Sequence, residues 1–99
     1  MQKINYKSDG RIEILLSEES SWQLFDTISK EIVKKFDVKL VKKLDGVDER
    51  YWDFEINGGL ICLHLQHYLG ILIFPLNDSS INEDVKKIAE YIIEKLSQI

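Results

Sequence analysis

The run "RYWDFEINGGLICLHL", residues 50–65, leaves the fold less freedom than any other stretch of the chain. In an extended chain Trp52, Phe54 and Ile56 fall on one side, and Tyr51, Asp53 and Glu55 on the other. A two-residue turn at Asn57-Gly58 sets Phe54 opposite Ile61 and Trp52 opposite Leu63. A turn at Gly58-Gly59 sets Phe54 opposite Leu63 and Trp52 opposite Leu65. Either register sends Ile61, Leu63 and Leu65 to the same apolar face as Trp52. A slip of one residue would flip every side chain, and the apolar pattern forbids it.

The same reasoning extends outward from this hairpin. "VKLVKKL", "RYWDFEIN", "LICLHLQHY" and "GILIFPL" read as four strands, separated by Asp45-Gly46, Asn57-Gly58-Gly59 and Leu69-Gly70. They predict an antiparallel meander. "KINYK" and "RIEILLS", joined at Asp9-Gly10, predict a further hairpin with a tight type I′ turn. "SSWQLFDTISKEIVKKF" carries Trp22, Phe25, Ile28, Ile32 and Phe36 at helical spacing, with Ser20 and Gln23 as a capping box. "SINEDVKKIAEYIIEKL" repeats the design with Ile81, Val85, Ile88, Ile92 and Leu96, capped by Ser80 and Glu83. The expectation is a single α+β domain over residues 1–99, with an antiparallel sheet of about five to six strands and both amphipathic helices packed on one face.

That architecture leaves one sheet face without a helix. In "GILIFPL" both parities are apolar; assigning Leu72, Phe74 and Leu76 to the core leaves Ile71 and Ile73 on the outer face with Tyr51, Cys62 and Tyr68. A strand apolar on both sides asks for a second cover. The N-terminal hairpin or a loop folding across is one candidate, and a bound protein is the other.

The most chemistry-like spacing is His64-x-x-His67, with Cys62 two residues earlier. Residues three apart on a strand point to opposite faces, so the two imidazoles do not form one metal site. His67 falls on the core-side parity, as a structural histidine. His64 shares the outer face with Cys62, Asp53 and Glu55, but Cys62 and His64 lie about 7 Å apart along a strand, beyond a direct thiol-imidazole hydrogen bond. No phosphate loop, nucleophile elbow or cofactor motif accompanies them. A small enzyme using Cys62 and His64 is therefore the weakest of the functional readings, and no cofactor or metal is expected.

Charge bears on partners. The chain has 13 basic and 17 acidic residues, the basic ones concentrated in residues 1–43 and the acidic ones in residues 44–99. A net charge of −4 argues against general nucleic-acid binding, although Lys34, Lys35, Lys39, Lys42 and Lys43 form a local basic patch or a solvated helix end and strand edge. The acidic run "DGVDERYWDFE" lacks the spacing of a calcium loop and reads as a solvated turn or as a rim that steers a basic partner. A lone cysteine, no apolar leader in "MQKINYKSDG" and no run long enough to span a bilayer fit a cytoplasmic protein with no membrane contact.

Residues 51–75, "YWDFEINGGLICLHLQHYLGILIFP", resemble a loose group of small bacterial α+β proteins with a Trp-x-Phe strand, a Gly turn, an "LH" strand and an "LGI…FP" strand. Some small acidic proteins of this kind are immunity proteins of polymorphic or contact-dependent toxin systems. The resemblance implies a non-enzymatic module that binds and neutralises a cognate toxin, such as a basic nuclease domain. Its expected contact face is Tyr51, Asp53, Glu55, His64, Tyr68, Ile71 and Ile73. A homodimer joined through the open face is the alternative.

Overall fold

The computed structural model describes residues 3–98, built as β1 (Lys3–Tyr6), β2 (Ile12–Ser17), α1 (Trp22–Lys35), β3 (Lys39–Asp45), β4 (Glu49–Ile56), β5 (Gly59–Gln66), β6 (Gly70–Pro75) and α2 (Asn82–Ser97). The strands form one six-stranded antiparallel sheet in the order β1-β2-β6-β5-β4-β3. The meander is as expected. The N-terminal hairpin does not fold across the open face but extends the sheet by pairing β2 with β6.

Register follows turn chemistry. Asn57 and Gly58 both adopt positive φ, 48° and 80°, the geometry of a two-residue type I′ turn. Trp52 is thereby opposite Leu63 and Phe54 opposite Ile61. At Asp9-Gly10 the turn is one residue longer than the expected type I′: Lys7 N–H donates to the Arg11 carbonyl, and only Gly10 carries positive φ. Asp9 instead binds Arg11 through both its carboxylate oxygens.

Both helices cover the face that carries Ile14, Ile73, Leu63 and Trp52 in one row across four strands. Phe25, Ile28 and Ile32 of α1 and Val85, Ile88, Ala89 and Ile92 of α2 close that core. The caps shift by a residue or more from the sequence expectation. Ser21, not Ser20, caps α1 by accepting from Leu24 N–H at 3.1 Å, while the Ser20 hydroxyl donates to the Gln66 carbonyl. Ahead of α2, Asp78 caps a short 3₁₀ turn, Ser79–Ile81. Asn82, the first residue of α2, then accepts from Ile12 N–H and donates to the Gly10 carbonyl, tying the helix to the N-terminal hairpin.

One charged side chain belongs to the core. Arg50 faces the helices, its side chain 8% exposed, and bonds Asp26 of α1 at 2.8 Å and Asp45 of β3 at 3.0 Å. Its guanidinium lies 4.3 to 4.9 Å from the ring centres of Trp22, Phe25 and Trp52. The Trp52 indole N–H donates to the same Asp45 oxygen. Trp22, expected in the buried stripe, thus sits at the surface as a lid over Arg50. A planar, fully charged group that both stacks and chelates is the one side chain that fits this cage.

Two experiments check these statements. Gly70 has φ +123°, and a Cβ there would stand 2.0 Å from the Ser17 carbonyl oxygen, whereas a Cβ at Gly58, φ +80°, meets nothing within 4 Å. In urea denaturation Gly70→Ala is expected to cost about 3 kcal/mol or more and Gly58→Ala only about 1 to 2 kcal/mol. Arg50→Ala should cost about 3 kcal/mol, less than a fully buried pair because both aspartates stay half exposed. Hydrogen bonds from Arg50, then Trp52, hold the Asp45 carboxyl below its ordinary value of 3.8. Its contribution is therefore present above that value and lost as pH falls through the lower folded-state pKa. Denaturation curves recorded from pH 5 to pH 2 should show this loss in the parent protein, and Arg50→Ala should lack most of it.

Candidate functional site on the open sheet face

The face away from the helices is organised by the same pairing. One row runs Leu15, Leu72, His64, Tyr51, Leu44 across five strands, and the next runs Phe74, Cys62, Asp53, Lys42 across four. Leu72 and Cys62 are nearly closed off by their neighbours, while Leu15, His64, Tyr51 and Phe74 are partly exposed.

Ile71 and Ile73, expected on this outer face, are in the core with no exposure; Leu72 and Phe74, expected in the core, are outside. The reason is the turn between β5 and β6. Gln66 pairs with Gly70, so the turn is three residues long, His67-Tyr68-Leu69, and odd-numbered residues of β6 oppose odd-numbered residues of β5. Leu65 and Leu63 are core residues and carry Ile71 and Ile73 with them. An apolar pattern on both parities of β6 gives no signal that separates the two outcomes; the parity of the turn does.

Tyr51 is held from two sides. His64 stacks on it at 4.1 Å with rings 15° from parallel, and the Tyr51 hydroxyl donates to Glu49 at 3.3 Å. His64 Nε2 lies 3.2 Å from the same Glu49 oxygen, and Phe74 meets the His64 ring edge-on. Burial, then the Glu49 charge, pushes the Tyr51 hydroxyl above its usual pKa, so the phenol stays a donor. Beside this cluster is a shallow apolar hollow of about 300 Å³, lined by Leu44, Tyr51, Asp53, Cys62, Phe74 and Leu76, with Lys42 at its rim.

The hollow does not have the chemistry of a nucleophile site. Cys62 forms its floor at 1% exposure. Burial, then the charge of Asp53, pushes its thiol far up, and the Asp53 carboxylate accepts a hydrogen bond from it. A thiol so placed is a packing group rather than a thiolate. His64 is engaged with Glu49 and Tyr51, not with the thiol. Among the described residues no group of three or more His, Cys, Asp or Glu side chains converges to hold a metal ion, and no helix is long and apolar enough to cross a membrane.

The remaining expected contact residues scatter. Asp53 lines the hollow, and His64 stands behind Tyr51. Glu55 is exposed further along β4, opposite Leu60 and Lys39. Tyr68 is not on the strand but at the tip of the β5–β6 turn, 94% exposed. His67 is beside it in the turn, exposed and edge-on to the Tyr68 ring, not a core histidine. Asp48 and Glu49 complete an acidic recess of about 220 Å³ with these two and Gln66. Leu44, Phe74 and Leu76 were missed, two because of the β6 parity and Leu44 because β3 has too many lysines to show which way it faces.

The chain belongs to the family described as "Protein of unknown function (DUF3630)", whose model matches residues 1–97. No curated protein and no solved structure matches it.

A buried, protonated Cys62 predicts slow chemistry. Iodoacetamide at pH 8 should label the native protein more than about a hundredfold more slowly than the protein unfolded in guanidinium, followed by mass spectrometry. Labelling at the rate of a free thiol would contradict the packing role.

Proposed function

We propose that this member of the DUF3630 family is a non-enzymatic protein-binding module that receives a basic partner domain on its open sheet face. The observation that carries this reading is the apolar hollow between Tyr51 and Phe74. Its walls are rigid because Tyr51 is clamped by His64 and Glu49, and a rigid apolar recess flanked by a carboxylate is how an interface seats an aromatic or arginine anchor. Asp53 at the hollow, with Glu49 and Asp48 toward the turn, supplies the negative charge that such a partner would seek.

The resemblance of residues 51–75 to bacterial immunity proteins favours a toxin as that partner, and the protected thiol suits the reducing cytoplasm where such an antidote works. The contact set is Tyr51, Asp53, Phe74 and Leu76 at the hollow, with His64 and Glu49 as supports and Glu55 and Tyr68 at the margins. Ile71 and Ile73 are not part of it.

Calorimetry against the protein encoded in the adjacent reading frame tests the reading. Binding should weaken as salt rises, and Tyr51→Ala combined with Asp53→Lys should reduce affinity by about 2 kcal/mol or more with the circular dichroism unchanged. Affinity that ignores both substitutions would remove this face as the site. Concentration-dependent self-association through the same residues, seen by sedimentation, would replace the toxin reading with the homodimer.

A further inference from the structure

The helix layer is narrower than the sheet. Six strands at about 4.8 Å span about 24 Å, whereas two helices about 10 Å wide cover about 20 Å. The shortfall falls at the edges: α2 packs on β2 and β6 and α1 on β5, while β1 at one edge is exposed at Ile4, Asn5 and Tyr6 and β3 at the other is exposed at almost every residue. Above β3 runs a groove of about 510 Å³ between α1 and β3, whose apolar lining is Val33 of α1 with Leu40 and Trp52 of the sheet. Lys30 and Lys34 of α1 line one wall and Lys43 of β3 the other. Val33, in the middle of the lysine wall, is 46% exposed.

Lysines and the bulge at Val41 on β3 are what an edge strand uses to refuse pairing. Lys30 and Lys34 are not explained that way, because they stand on the helix and border the groove rather than the edge. Neither forms an ion pair among the described residues, and Asp26, the carboxylate in the groove, is already bonded to Arg50. In a chain of net charge −4 this strip sets three lysines against one carboxylate, Asp26, around apolar side chains.

We propose that the groove between α1 and β3 is a docking site for an acidic amphipathic helix of a partner protein, which lies beside α1 as the third helix of the layer. Apolar side chains at successive turns would meet Val33, Leu40 and the edge of Trp52, and flanking carboxylates would meet Lys30, Lys34 and Lys43. A helix fits better than an added strand, since the bulge interrupts the β3 edge. It fits better than nucleic acid, since the groove has no arginine, and Lys43 already covers its only ring, Trp52, at 4.4 Å. This site is on the opposite side of the sheet from the hollow, and its test does not depend on the open-face reading.

The experiment is selection of a displayed random-peptide library on the intact protein, followed by anisotropy of the enriched peptide and amide chemical-shift mapping. Enriched sequences should carry apolar residues at helical spacing among Asp and Glu, and their shifts should map to α1 and β3. Lys30→Glu with Lys34→Glu, both at exposed helix positions, should weaken binding at least about tenfold, and so should Val33→Asp. Tyr51→Ala with Asp53→Lys should leave it unchanged. No enrichment, enrichment of basic or non-periodic peptides, or affinity indifferent to the α1 variants overturns the proposal. So does a single-stranded oligonucleotide that binds with the same lysine dependence in place of the peptide.

Discussion

Strand β2 meets β6 so closely at one point that only a residue without a side chain can occupy it. Gly70, at φ +123°, leaves the Ser17 carbonyl where a Cβ would be. Through this contact the N-terminal hairpin joins the meander and becomes part of one sheet instead of a flap. The packing of α2 depends on it, because the helix lies across β2 and β6 and is tied by Asn82 to Ile12 and Gly10. The open face depends on it as well, since a hairpin committed to the sheet edge leaves that face uncovered.

The two faces solve different problems. Toward the helices, Arg50 is stacked among three rings and bonded to carboxylates from α1 and β3, so one charged residue fastens the outer corner of the sheet to the start of the first helix. On the other side polar groups are kept and engaged: Glu49 holds both Tyr51 and His64, and burial, then Asp53, keeps the Cys62 thiol protonated. On this face the histidine and one carboxylate are engaged with neighbouring rings, and the thiol is engaged with a second carboxylate.

Much of this was legible in the residues. The faces of β4 and β5 followed from the alternation of Trp52, Phe54 and Ile56, and the structure chose Asn57-Gly58 over Gly58-Gly59 for the turn; the helix stripes followed from their spacing. The candidate site was legible in part: Tyr51, Asp53 and His64 were placed on the right face because β4 and β5 alternate cleanly. It failed at β6, where Ile71, Leu72, Ile73 and Phe74 offer no contrast between parities. In the sequence Arg50 is simply the one base in the acidic run "DGVDERYWDFE", because no local pattern reports aromatic rings arriving from a helix 25 or more positions away.

By itself the sequence determined the element types, the antiparallel meander and the two-helix layer, since each rests on periodicity or turn chemistry within a few residues. The tertiary structure alone decided that β2 pairs with β6, that Ile71 and Ile73 are inside, that Arg50 is buried, and that β3 extends beyond the helices. Those outcomes rest on contacts between distant segments: the parity of one three-residue turn, one close approach at Gly70, and the width of two helices against six strands. Such contacts select between arrangements that local propensity leaves equal in energy.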